Sequence, residues 1–183
     1  DFACGIPATV GGAVYMNAGA YLSDISEVLD KVEFLDDNYE IKCLEKDALD
    51  FSYRHSIFMS KNWIILRAYF TLERDSVKEM TDLIEDRKMR RVVSQPLDFP
   101  SAGSVFRNPT DMYAGKLIED CGLKGYNYGG GEISEKHANF IINKNRAKSS
   151  DIKYLMDLAH DEVLKKYGID LYREQELFNF GDK

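Results

Sequence analysis

Strand and helix signals follow one another along this chain without a regular strand–helix–strand alternation, and that order constrains its fold most. Residues 31–44 alternate through Val32 and Phe34, break at Asp36-Asp37-Asn38, and resume with Tyr39, Ile41 and Cys43, which predicts a hairpin. Residues 63–72 (W-I-I-L-R-A-Y-F-T-L) are β-branched and aromatic and predict a long, mostly buried strand. Ser76-Val77-Lys78-Glu79 reads as a capping box, opening a helix with Val77, Met80, Leu83 and Ile84 on one face. Pro96 and Pro100 frame a linker over residues 95–101, where a domain boundary is expected. Beyond it, Asn108-Pro109-Thr110-Asp111 starts a short helix carrying Ala114, Leu117, Ile118 and Cys121, with Gly122 as its end. Gly129-Gly130-Gly131 precedes a strand over 138–143. Ser149 or Ser150 caps a final helix with Ile152, Leu155, Met156, Ala159 and Val163 inward, closed by Gly168. A short strand over 176–180 ends the chain. The mixture predicts an α+β fold.

Composition narrows the function classes. At 183 residues, with 44% hydrophobic and 30% charged residues, the chain suits one globular domain or two small ones. Lys plus Arg number 24 against 31 Asp plus Glu, a net charge of −7, which disfavours nucleic-acid binding. No run of about 18 apolar residues is present, so no membrane span is expected, and no signal peptide is visible at the start. The three cysteines, Cys4, Cys43 and Cys121, make no disulfide framework and read as reduced core residues of a cytoplasmic protein. His55, His137 and His160 do not combine with them at metal-ligand spacing, so no metal site is expected. The chain opens without Met and directly in a motif, as part of a longer protein would.

Five segments could carry chemistry. Residues 5–13 (G-I-P-A-T-V-G-G-A) bring backbone N–H groups close to a phosphate or ring, or form a packed turn of small residues. In residues 51–56 (F-S-Y-R-H-S), Tyr53 and Arg54 could recognise a carboxylate, or lie in a surface turn. Residues 100–109 (P-S-A-G-S-V-F-R-N-P) set Ser104 among small residues that leave its hydroxyl accessible; a turn leading into a strand is the plain reading. Residues 123–131 and 134–139 place Lys124, His137 and glycines where a phosphate could sit, or make a solvated hairpin. Leu171-Tyr172-Arg173-Glu174 ends in a carboxylate.

Taken in order, these segments resemble the UDP-N-acetylenolpyruvoylglucosamine reductases (MurB), flavoenzymes of peptidoglycan precursor synthesis. The resemblance rests on G-I-P-A-T-V-G-G-A-V-Y-M-N-A-G-A-Y, F-S-Y-R-H-S, Q-P-L-D-F-P-S-A-G-S-V-F-R-N-P, A-G-K-L-I-E-D-C-G-L-K-G, S-E-K-H-A-N-F-I-I-N and L-Y-R-E. It covers essentially the whole chain as the C-terminal two-thirds of the shorter subtype. It implies a vanillyl-alcohol-oxidase-type FAD-binding domain, its second part over residues 1–95 and most of its first part upstream. A substrate-binding domain follows over 96–170, then a tail over 171–183 that returns to the active site.

The resemblance also implies the chemistry. NADPH reduces FAD, and hydride passes to the vinyl carbon of UDP-N-acetylglucosamine enolpyruvate, giving UDP-N-acetylmuramate. Gly5, Ile6, Pro7, Thr9, Gly11 and Gly12 match the flavin loop, with Ala8 where Gly is commoner; its methyl requires a negative φ. Arg54 and Glu174 match positions at the substrate carboxylate. Arg54 offsets charge there, and Glu174, protonated, hydrogen-bonds an enolic oxygen. Ser104 protonates the carbon beside the ether oxygen. Tyr53, Asn108, Lys124 and His137 match substrate-holding positions. Two extra residues in the tail make Glu176 the alternative to Glu174. The competing expectation is a UDP-sugar-binding fragment that lacks the first flavin subdomain and does not turn over.

Overall fold

The computed structural model describes residues 1–179. Two compact units divide between Met89 and Arg90. In the first, helix α1 (Val10–Tyr15) begins at Thr9, whose hydroxyl accepts the Gly12 N–H at 3.1 Å. Strands β1 (Gly19–Ala20) and β2 (Ser23–Asp24) form a small antiparallel hairpin, and the one-turn helix α2 (Ile25–Val28) starts at the Asp24 cap. Strands β3 (Leu29–Leu35), β4 (Ile41–Glu45) and β5 (Ile64–Phe70) make an antiparallel sheet in the order β4-β3-β5. Helix α3 (Val77–Ser94) follows and contains the division between the two units.

The expected hairpin over 31–44 is β3 and β4, with Asp36 closing the turn by accepting from the Asn38 and Glu40 N–H groups. Bulges between Leu29 and Lys31 and between Glu33 and Phe34 shift the period, so Leu29, Val32 and Phe34 all reach the core. There they join Phe2, Val14, Ile25, Leu49 and Phe58, and Phe34 stacks on Trp63 at 4.3 Å. Strand β5 is not mostly buried as expected. It lies at the sheet edge, packs Ile65, Ala68 and Phe70 on the core, and exposes Ile64, Leu66 and Tyr69. Helix α3 also departs from expectation. Among its described residues none is buried, and Val77, Met80 and Leu83 are exposed. Ser76 Oγ does accept the Glu79 N–H at 3.5 Å, but the Ser76 N–H goes to Asp75. Cys43, read as a core residue, is exposed on edge strand β4.

The second unit carries β6 (Ser101–Ser104), α4 (Ala114–Asp120), β7 (Asn127–Tyr128), β8 (Gly131–Ile133), β9 (Phe140–Asn143) and α5 (Ser149–Tyr167). Its four strands form an antiparallel sheet ordered β6-β9-β8-β7. Val105, Phe106, Leu117, Ile118, Ile133, Ile141, Leu155, Met156 and Val163 belong to one core. Helix α5 buries the expected Leu155, Met156, Ala159 and Val163, and ends at Gly168 in the left-handed conformation, φ 68°. It caps at Lys148, not at Ser149 or Ser150, because Asp151 accepts the Lys148 N–H at 2.9 Å. Helix α4 starts later than expected: Asn108 Oδ1 reaches forward to the Ala114 N–H at 3.1 Å, and residues 109–113 stay outside the helix. The expected strand over 176–180 is absent over 176–179. A single bridge, Phe106 to Arg173, stands earlier, and Phe180 lies outside the described residues. The whole is a mixed helix-and-strand structure.

The glycine cluster 129–131 is a packing device. A Cβ on Gly130 would lie 2.2 Å from the Asn145 carbonyl oxygen and 2.5 Å from the Ala147 nitrogen, both backbone atoms. Gly122 is left-handed, with no atom near the position of a Cβ. Gly130→Ala should therefore cost about 2–4 kcal/mol through forced backbone movement, against about 1–2 kcal/mol for Gly122→Ala, which is conformational only. Urea unfolding of both variants checks this, and equal losses would contradict it.

Candidate functional site

In the second unit a short extended segment, residues 105–107, is held from two sides. Asn139, 3% exposed, spends its whole side-chain amide on Phe106. Its Oδ1 accepts the Phe106 N–H at 2.9 Å and its Nδ2 donates to the Phe106 carbonyl at 2.8 Å. The Val105 N–H donates to the Asn139 carbonyl. On the other side, the tail donates the Glu174 N–H to the Val105 carbonyl at 2.8 Å and accepts the Arg107 N–H on Tyr172. Gln175 Nε2 adds a hydrogen bond to the Gly103 carbonyl at 3.1 Å. Glu174 is thereby fixed beside Val105, one residue from Ser104. Glu176 is exposed and lies beyond that pairing. Immediately upstream, Gly103 adopts φ 82° at an irregularity between Ser101 and Ser104, a bulge that re-aims the residue after it.

That residue, Ser104, lines a cavity of about 270 Å³ with Asn108, Lys124, His137 and Asn139. Four sequence-predicted residues from three motifs thus meet on one surface. Asn108 Oδ1 is already committed to α4, which leaves its NH₂ as the donor for a ligand. Lys124 faces Glu119 at 3.2 Å, a carboxylate standing where an anionic ligand would compete. His137 Nδ1 accepts the Asn139 N–H at 3.2 Å, a geometry suited to the neutral ring with its hydrogen on Nε2. Burial, and to a lesser degree the Lys124 charge, hold His137 below the ordinary imidazole pKa. Gly115 lets α4 close on this ring: a Cβ there would lie 2.9 Å from His137 Cε1.

The other candidates belong to the first unit. Tyr53 and Arg54 are the two central residues of a tight turn, closed by the Ser52 and His55 backbone bonds. Arg54 is left-handed, φ 55°; its guanidinium donates to the Gly19 carbonyl at 2.8 Å and stands over the Tyr53 ring. The loop of residues 5–13 fits an anionic cofactor. Gly5 takes φ 78°, Ala8 is not left-handed and so carries its methyl without strain, and Thr9 uses its hydroxyl on Gly12. At the start of α1 the Gly12 N–H goes to the Thr9 hydroxyl and the Ala13 N–H to the Thr9 carbonyl. The backbone of this loop is therefore compatible with an anionic group beside it.

Comparison with known proteins finds one group of relatives. Residues 95–178 match the UDP-N-acetylenolpyruvoylglucosamine reductase C-terminal domain. The reductase of Caldanaerobacter subterraneus is 49% identical over 174 residues, covering 95% of this chain and 58% of that protein. That of Clostridium beijerinckii is 47% identical over 178 residues, covering 97% and 59%. Over almost its whole length the chain is similar to the UDP-N-acetylenolpyruvoylglucosamine reductases. The crystal structure of the reductase (MurB) from Thermus caldophilus superposes with a TM-score of 0.83 at 33% identity, over 96% of this chain and 62% of that one. The chain thus spans somewhat under two thirds of its relatives' length. Among its described residues, no helix is long and apolar enough to cross a membrane.

Sequence reasoning missed Asn139, Gly115 and Asn17 as residues that shape these segments. The available signal was a polar Asn inside an apolar run (H-A-N-F-I-I in one case, Y-M-N-A in the other), which is costly unless its amide is satisfied. Asn139→Ala should cost about 2–3 kcal/mol, since two buried backbone groups lose their partner. Chemical denaturation measures this, and a loss under about 0.5 kcal/mol, the range of surface changes, would contradict the clamp.

The tail is also tied to α5 by charge. Arg173 pairs with Asp157 at 3.1 Å, and His160 faces Asp161 at 2.9 Å from Nδ1 and Asp170 at 2.8 Å from Nε2. Only the imidazolium donates from both nitrogens. The hydrogen bonds to Asp161 and Asp170 raise the His160 pKa, offset in part by burial. A raised folded-state value means the clasp stabilises fully below the unfolded pKa of about 6.5 and is lost as pH rises through the folded value. The stability advantage over His160→Gln should therefore be larger at about pH 5.5 than at about pH 8.5 in urea unfolding. An advantage independent of pH would contradict the clasp.

Proposed function

We propose that the protein carrying this chain reduces UDP-N-acetylglucosamine enolpyruvate to UDP-N-acetylmuramate, with NADPH as hydride donor and FAD as carrier. The observation that carries this reading is the convergence of Ser104, Asn108, Lys124 and His137 on one cavity, in a chain sharing 47–49% identity with named reductases. In this reading residues 1–95 are the second part of the flavin domain, 96–170 the substrate domain and 171–183 the returning tail. Gly5, Ile6, Pro7, Thr9, Gly11 and Gly12 hold FAD, whose chemistry when bound is to carry hydride from NADPH to the vinyl carbon.

The protein's own groups do the rest. Lys124 exchanges Glu119 for the pyrophosphate, while the Asn108 NH₂ and the His137 ring N–H orient the nucleotide sugar. Arg54, with Tyr53, acts on the substrate carboxylate and offsets the charge that builds as hydride arrives. Glu174 hydrogen-bonds an enolic oxygen. Ser104 gives its proton to the carbon beside the ether oxygen, completing addition of hydride and proton across the double bond.

Two measurements test this. Ser104→Ala removes one oxygen and should leave NADPH-dependent flavin reduction normal, while slowing the substrate-dependent half-reaction roughly 10²–10⁴-fold. Stopped-flow absorbance follows the two separately; equal slowing of both would make Ser104 positional. Lys124→Ala should weaken UDP-sugar binding by about 1.5–3 kcal/mol, the range for a charge-assisted hydrogen bond, and the loss should shrink as salt rises. Unchanged affinity by low-salt calorimetry would remove Lys124 from the site.

A further inference from the structure

Arg54 stands on a turn that should not hold its shape unaided. A non-glycine residue at φ 55° carries steric strain, and such a residue persists where its surroundings over-determine it. The turn's base is the Ser52 carbonyl, which accepts two donors. One is the His55 N–H at 3.1 Å, closing the turn. The other is Asn17 Nδ2 at 3.1 Å, reaching from 35 residues away in sequence. Asn17 is 1% exposed, and its other amide atom, Oδ1, accepts the Ser26 N–H at 3.0 Å. The same amide therefore joins the Arg54 turn to the start of α2. Two residues on, the Gly19 carbonyl accepts the Arg54 guanidinium itself at 2.8 Å. Gly19 cannot give way to a larger residue, since a Cβ would lie 2.7 Å from both Asp24 Cβ and the Ser23 carbonyl oxygen. Residues 17–19 thus grip the base and the tip of one side chain's support. Just beyond the turn, Ser56 Oγ donates to the Tyr15 carbonyl at 2.6 Å, so the chain on either side of Asn17 and of Arg54 is tied together.

We propose that Asn17 is a positioning residue for Arg54: its buried amide sets the Ser52 carbonyl, and through it the place of the guanidinium. The proposal rests on the role given above to Arg54. A side chain that must meet a developing charge loses effect steeply with displacement, and about 1 Å can cost on the order of 10²-fold in rate.

A double-mutant cycle on the holoenzyme tests it. Asn17→Asp keeps the acceptor for Ser26 and tolerates the left-handed backbone, φ 42°, but sets a carboxylate against the Ser52 carbonyl. It should slow the substrate-dependent half-reaction about 10–100-fold, with NADPH-dependent flavin reduction and flavin content within about twofold of native. In an Arg54→Ala background, the same change should slow it by less than about twofold, because the residue it positions is gone. Asn17→Ser, shorter and uncharged, should fall between native and Asn17→Asp and serves where the aspartate variant does not fold. An equal effect of the Asn17 change with and without Arg54, or an equal loss in both half-reactions, would overturn the proposal. If Arg54→Ala alone leaves the substrate-dependent half-reaction unchanged, the role of Arg54 fails first, and the proposal falls with it.

Discussion

The Asn139 amide, closed on both backbone groups of Phe106, is the contact on which the second unit's site depends. Phe106 is 1% exposed, so its N–H and carbonyl must be paired or cost stability. No strand neighbour does this on that side; a side chain 33 residues away does. With the segment held there, Ser104 precedes it on a bulge, Asn108 follows it into the cap of α4, and the tail pairs on its other edge to set Glu174. The His137 ring is set by the same asparagine through its backbone N–H.

The first unit uses the same device with different parts. Asn17 is buried and ties the Ser52 carbonyl to the Ser26 N–H, as Asn139 ties two atoms of one residue. In both cases a short polar side chain replaces the backbone ladder where the chain leaves regular structure. Such a contact is worth only about 1 kcal/mol per hydrogen bond when made, but more when broken. That asymmetry favours one placement of the functional side chain over nearby alternatives.

The sequence made legible what local pattern encodes. The hairpin of β3 and β4 follows from the alternation around Asp36-Asp37-Asn38, and α5 from its apolar spacing and Gly168. Burial was less legible, because it depends on neighbours. Strand β5 has a buried strand's composition but sits at a sheet edge, and α3 has an apolar face with no residue buried. Helix α4 starts later than its local pattern suggests because Asn108 accepts the Ala114 N–H from six residues away. Motif resemblance singled out Ser104, Asn108, Lys124 and His137, and their meeting around one cavity is a property of the fold. Asn139 and Asn17 stand out in the sequence as polar residues in apolar runs, but what they and Gly115 support is not legible there, since their partners lie elsewhere in the sequence.

The clamped segment and its flanks are the surface proposed above to hold a nucleotide sugar. Titration of the ¹⁵N-labelled protein with UDP-N-acetylglucosamine, followed by amide NMR, tests it most directly. Ser104, Asn108, Gly115, Lys124 and His137 should shift together along one binding isotherm, while amides around His160, which does not line the cavity, stay unchanged. Shifts that bypass Lys124 and His137, or that cluster around His160, would contradict it.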